Sequence, residues 1–237
     1  MSADMTQIMG EFIGTAILIL LGGGVCAACN LNKSKAQNAG WIVIAFGWAM
    51  AVTIAVFISG FMGPAHLNPA VTIAMAMNGN ISWGLVIPFI IAQVLGAIVG
   101  AILVWLAYLP HWDETEDQGA ILGTFATGPA IRNLPANMIT EAIGTFVLVL
   151  ALLAFGNNDL QFGNNVFAVG AVILAVGLSL GGPTGYAINP ARDLGPRIAH
   201  AFLPIKNKGD SDWGYALVPI IGPIIGAIIA VLVFKMF

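Results

Sequence analysis

The sequence predicts an all-α membrane protein with six transmembrane helices and two re-entrant half-helices, built as an inverted internal repeat. Three observations predict it. Hydrophobic residues make up 59% of the 237-residue chain and charged residues only 8%, against about 25% charged in a typical soluble domain. Lipid is therefore the expected solvent for most of its surface. The apolar residues gather into long runs, interrupted by two short ones. The chain also repeats itself at a fixed spacing.

A membrane helix needs about 20 mostly apolar residues. Such runs lie at 8–28, 40–59, 85–109, 138–155, 166–180 and 217–234, the fifth being short. No Lys or Arg precedes the first run, so a retained span is expected there, not a secretory signal. Trp41, Trp83, Trp112 and Trp213 stand near run ends, as an aromatic belt would. Trp48 sits well inside its span. Gly10 with Gly14, Gly96 with Gly100, Gly177 with Gly181 and Gly222 with Gly226 have the spacing of closely packed helices.

The segment "EFIGTAILIL" at 11–20 returns as "EAIGTFVLVL" at 141–150, and "VLGAIVGAILV" at 94–104 returns as "IIGAIIAVLV" at 224–233. Each copy lies 130 residues after the first. Each half holds three full crossings. An odd number makes the second half enter from the other side, giving a pseudo-two-fold axis in the membrane plane. One transmembrane domain over 1–237 is expected: repeat 1 at about 5–109, a linker at 110–136, and repeat 2 at about 137–236. The acidic "DETEDQ" at 113–118 predicts a solvated loop.

The two short runs, 69–77 and 190–202, begin at Asn68-Pro69-Ala70 and Asn189-Pro190-Ala191. A helix that starts inside a membrane has first N–H groups with neither helical partner nor bulk water. Asn caps such a start, and Pro at the first position has no N–H to orphan. The Asn oxygen then accepts from its own helix and its NH₂ donates outward. Each start carries about half a positive charge. Two starts meeting near the midplane would attract a lone pair and repel a cation. The turns before them must line a wet cavity or be buried in protein. Carbonyls are expected from Pro64, Ala65 and His66 and from Gly185, Tyr186 and Ala187. Donors at the centre and acceptors along a wall describe a path for a neutral, hydrogen-bonding solute.

The paired "HLNPAVT" and "NPARDLGPR", the two Glu-x-x-Gly-Thr segments and the six spans resemble the major intrinsic protein (aquaporin) family, specifically its aquaglyceroporin or glycerol facilitator branch. The resemblance implies an aquaporin-like fold and a selectivity filter at Trp48, Gly177, Tyr186 and Arg192. An arginine within a membrane segment is costly and marks function. Water-selective members have histidine at the position of Gly177, so a wider pore is implied. Tyr186 stands where the branch usually has phenylalanine, which widens the expected solutes beyond glycerol. Pro64 stands where a small residue is usual. Asp193 is expected to organise a loop. Glu11 and Glu141 are expected to support the half-helix loops and not to relay protons. His66 is placed in the inner vestibule.

The expected function is a passive channel for small uncharged polar solutes: glycerol and similar polyols, water, urea, dihydroxyacetone or protonated short hydroxy acids. Protons and ions would be excluded. No catalytic residue, metal or cofactor is expected. The alternative is a gradient-coupled secondary transporter, which also uses broken helices but wants a titratable midplane site. A net charge of −3 without a basic run argues against nucleic acid. Cys26 and Cys29 form a lone C-x-x-C, read as two buried thiols. The resemblance further implies a homotetramer in the cell (plasma or inner) membrane with both termini cytoplasmic. Lys33, Lys35, Lys206 and Lys208 then fall in outer loops, against the positive-inside tendency.

Overall fold

The computed structural model describes residues 2–156 and 164–237. The first helix, α1 (Ala3–Asn30), begins earlier than its apolar run because Ser2 caps it: the Ser2 hydroxyl accepts from Met5 N–H at 3.3 Å. The chain continues through α2 (Trp41–Ser59), α3 (Pro69–Met77), α4 (Val86–Ala107), α5 (Leu109–Glu114) and α6 (Gln118–Phe125). It then forms α7 (Leu134–Gly156), α8 (Asn164–Leu180), α9 (Pro190–Phe202) and α10 (Val218–Phe234). The described residues hold no β-strand.

Helices α1, α2, α4 and α7 are long and apolar enough to cross a membrane. Helices α8 and α10 are equally apolar but have 17 residues each, which spans about 25 Å.

The acidic linker differs from expectation. Asp113 and Glu114 close α5, and Gln118 opens α6. Asp117 caps α6 by accepting from Gly119 and Ala120 N–H at 2.8 and 3.1 Å. The acidic side chains are exposed, yet α6 is anchored by buried Ile121 and Phe125, and Phe125 stacks on Trp112 at 5.4 Å. A charge run hides such an anchor because only one face of a short helix needs to be apolar.

Lipid gives helices no hydrophobic reason to associate, so backbone approach has to hold them together. Helix α1 packs on α4, and α7 on α10. A Cβ on Gly96 would stand 2.2 Å from the Phe12 carbonyl oxygen, and one on Gly226 would stand 2.0 Å from that of Ala142. Gly226 and Ala142 are the repeat counterparts of Gly96 and Phe12, so one contact is made twice. The half-helices cross over: α3 packs on α10, and α9 on α4. Each is thus held by the last helix of the other half, which brings their starts together.

Candidate pore

Asn68 and Asn189 cap α3 and α9. Asn68 Oδ1 accepts from Ala70 N–H at 2.9 Å. Asn189 Oδ1 accepts from Ala191 and Arg192 N–H at 3.0 and 3.2 Å. Their amide nitrogens then cross. Asn68 Nδ2 donates to the Ile188 carbonyl at 2.8 Å, and Asn189 Nδ2 donates to the Leu67 carbonyl at 2.7 Å. Each amide has two N–H donors, so one on each side is spent on the partner loop and one remains.

The loops before the caps alternate in hand. Ala65, Leu67, Tyr186 and Ile188 have φ of +51°, +52°, +39° and +41°. Non-glycine residues hold such angles only when their surroundings impose them. Two buried carboxylates do so here. Glu11 accepts from His66 and Leu67 N–H, each at 2.7 Å, and from Gln93 Nε2 at 2.8 Å. Glu141 accepts from Ala187 and Ile188 N–H at 3.0 and 2.7 Å and from the Thr184 hydroxyl at 2.7 Å.

A cavity of about 450 Å³ runs along these loops. Its wall includes Pro64, Ala65, His66, Asn68, Tyr186, Ala187, Asn189, Arg192 and Trp48. Val52 and Val56 continue the Trp48 face of α2 one and two turns on, so one side of the cavity is aliphatic and the loop side polar. His66 Nδ1 lies 3.3 Å from the Thr72 hydroxyl, which also accepts from Gln93 Nε2 at 2.8 Å. Asn68 and Asn189 belong to the wall; the motif residues Pro69, Ala70, Pro190 and Ala191 are buried behind it.

Among the described residues, neither Gly177 nor Gly185 belongs to this wall. Gly177 is covered by the Tyr186 ring. A Cβ there would stand 2.8 Å from Tyr186 Cζ. The Gly177 carbonyl accepts from Trp41 Nε1 at 2.9 Å, and the Trp41 ring meets Tyr186 edge-on at 5.6 Å. The glycine thus houses the tyrosine. Gly185, at φ +82°, turns the chain in front of Thr127.

Arg192 is 7% exposed. Its Cζ lies 3.9 Å over the Trp48 ring, and its Nη1 donates to the Phe125 carbonyl at 3.4 Å. The buried Tyr186 hydroxyl finds no hydrogen-bond partner among the described residues. Asp193 accepts from Thr127 N–H and Oγ1 at 2.8 and 2.7 Å, and from Arg197 Nε at 2.8 Å. Arg197 then donates to the carbonyls of Thr127, Ser211 and Asp212. This buried pair ties α9 to the segments on either side of it.

The family model for major intrinsic proteins matches residues 1–234. The chain belongs to that family. It is an integral membrane protein with an aquaporin-like fold. It is 60% identical over 229 residues to glycerol uptake facilitator protein 3 of Lactiplantibacillus plantarum, covering 97% of this chain and 95% of that one. It is 58% identical over 233 residues to the glycerol uptake facilitator protein of Streptococcus pneumoniae, covering 98% of this chain and all of that one. The X-ray structure of the aquaglyceroporin from Plasmodium falciparum superposes with a TM-score of 0.85 at 28% identity, covering 98% and 96% of the two chains.

Several partners were not found from sequence. Gln93 joins Glu11 to Thr72, Trp41 braces Gly177, and Cys26 accepts from Trp48. The first two link helices distant in the chain, and the third links α1 to the next helix, α2. Cys26 and Cys29 are buried and free.

Proposed function

We propose that this protein is a passive channel for small uncharged polyols, with glycerol the reference solute and water, urea, dihydroxyacetone and protonated short hydroxy acids as further candidates. The observation that carries this reading is the division of the cavity wall. Asn68, Asn189 and Arg192 supply donors to the wall, while Trp48, Val52 and Val56 supply carbon. A polyol has the same division, with hydroxyls along one edge of a carbon chain. The relatives named as glycerol uptake facilitators support the choice of solute.

Trp48, Tyr186 and Arg192 form the constriction in this reading, with Gly177 making room for Tyr186. The buried Tyr186 hydroxyl lies against Gly177 and fills the space beside the constriction. Glu11, Glu141 and Asp193 hold the loops, and the repeats at about 5–109 and 137–236 form one channel domain joined by 110–136. Two helix starts and Arg192 place positive potential at the narrow part, which excludes protons and other cations. The channel works as a homotetramer in the cell membrane with both termini cytoplasmic.

Stopped-flow light scattering on proteoliposomes tests this, with glycerol, water, urea and lactic acid at several pH values. Non-saturating flux down the gradient is expected. Flux of glycerol no faster than in protein-free vesicles, or uptake driven by an imposed proton or sodium gradient, would overturn it.

A further inference from the structure

The Trp48 indole is seated on α1. Its Nε1–H donates to Cys26 Sγ at 3.3 Å. One turn earlier on the same helix, Gly22 lies against the six-membered ring. A Cβ on Gly22 would stand 2.3 Å from both Cε3 and Cζ3 of Trp48. Both α1 residues are buried, and neither belongs to the cavity wall. The ring they hold does line the cavity, with Arg192 over it at 3.9 Å.

Two consequences follow from elementary chemistry. A buried indole N–H takes whatever acceptor it can reach. Sulfur is a weak acceptor, but it sits behind the ring, away from the solute path. With its N–H spent there, Trp48 shows the cavity carbon and no donor. Gly22, having no side chain, lets the ring retreat toward α1. Any Cβ would push it toward Arg192.

We propose that Gly22 and Cys26 are specificity-determining positioning residues: Gly22 sets the width of the constriction, and Cys26 keeps its tryptophan wall apolar. This rests on the channel function proposed above. Polyols profit from an apolar wall against their carbons. Urea, a planar carbonyl acceptor, profits from a free indole N–H. Without the Cys26 acceptor the indole is free to turn its N–H into the cavity, which shifts preference from glycerol toward urea.

The test combines flux ratios with a spectroscopic readout. Cys26→Ala should lower the glycerol-to-urea permeability ratio about threefold, the scale of one lost hydrogen bond. Cys26→Ser, whose hydroxyl still accepts, should keep the ratio near wild type. In a Trp48→Phe background, Cys26→Ala should leave the ratio unmoved, because the interacting partner is gone. The indole ¹H–¹⁵N resonance of Trp48, assigned by its loss in Trp48→Phe, should shift in Cys26→Ala. Gly22→Ala should lower the glycerol-to-water ratio, whereas Gly24→Ala, whose Cβ would meet nothing within 4 Å, should not.

An unmoved resonance, an unchanged ratio in Cys26→Ala, or a change that persists without Trp48 would overturn the role of Cys26. Equal effects of Gly22→Ala and Gly24→Ala would overturn that of Gly22. Wild-type vesicles that conduct no glycerol would sink the channel function instead, and the indole resonance would still decide whether the seat exists.

Discussion

The guanidinium carbon of Arg192 lies 3.9 Å over the ring of Trp48, joining the start of the second half-helix to the middle of α2. A cation against an aromatic face is attracted by the ring quadrupole, and more so when water is excluded. The pair puts a fixed positive charge and an apolar surface side by side.

Arg192→Ala removes that charge and leaves the helix starts in place. Glycerol flux should persist, while proton leak should rise about tenfold as the cation barrier falls. A pH-sensitive dye trapped in proteoliposomes would report it. Unchanged leak would mean that the Asn pair alone supplies the barrier.

Glu11→Gln and Glu141→Gln should destabilise the protein without opening a proton path. An amide oxygen replaces a carboxylate that takes two loop N–H groups, so charge-assisted bonds are lost at about 1.5–3 kcal/mol. The unfolding midpoint in detergent should drop for both variants. Loss of proton conduction relative to wild type would instead reveal a relay.

Asp193 and Arg197 form a pair with no exposed surface to speak of, at 1% and 0% side-chain exposure. Asp193→Asn leaves the arginine buried without its counter-charge, at a cost of about 3–5 kcal/mol. Replacing both residues, as Asp193→Asn with Arg197→Met, should recover part of that loss. Detergent unfolding curves of the three variants would show it.

Gly226→Ala should cost about 1–3 kcal/mol, because its Cβ has to displace the Ala142 carbonyl of the neighbouring helix. Gly24→Ala is the control in unfolding experiments, with no neighbour to displace. It should be neutral or slightly stabilising, since alanine favours a helix.

Much of this architecture was legible because its chemistry is local. The half-helices begin at Pro69 and Pro190 as expected, since an Asn-Pro pair both caps a helix and removes an orphan N–H. The doubled glycines told of close helices, although not which carbonyls they would meet. What stayed hidden depends on segments meeting across the fold. The Cys26 thiol looks inert until Trp48 of the next helix reaches it. Gly177 reads as empty space, yet the ring that fills it belongs to a loop after α8. The helix α6 lies beside an acidic run and is held by the stacking of Phe125 on Trp112, which no periodicity in eight residues can announce.

The crossed bonds from Asn68 to Ile188 and from Asn189 to Leu67 bear on how the molecule is made. Neither half can satisfy its own central amide alone, because the acceptor it needs is encoded in the other. While the ribosome is still translating the second repeat, the first re-entrant segment has its Glu11 and Gln93 contacts but no acceptor for the Asn68 amide. The crossed bonds therefore form only once both repeats are present, and a chain cut between the repeats would lack them both.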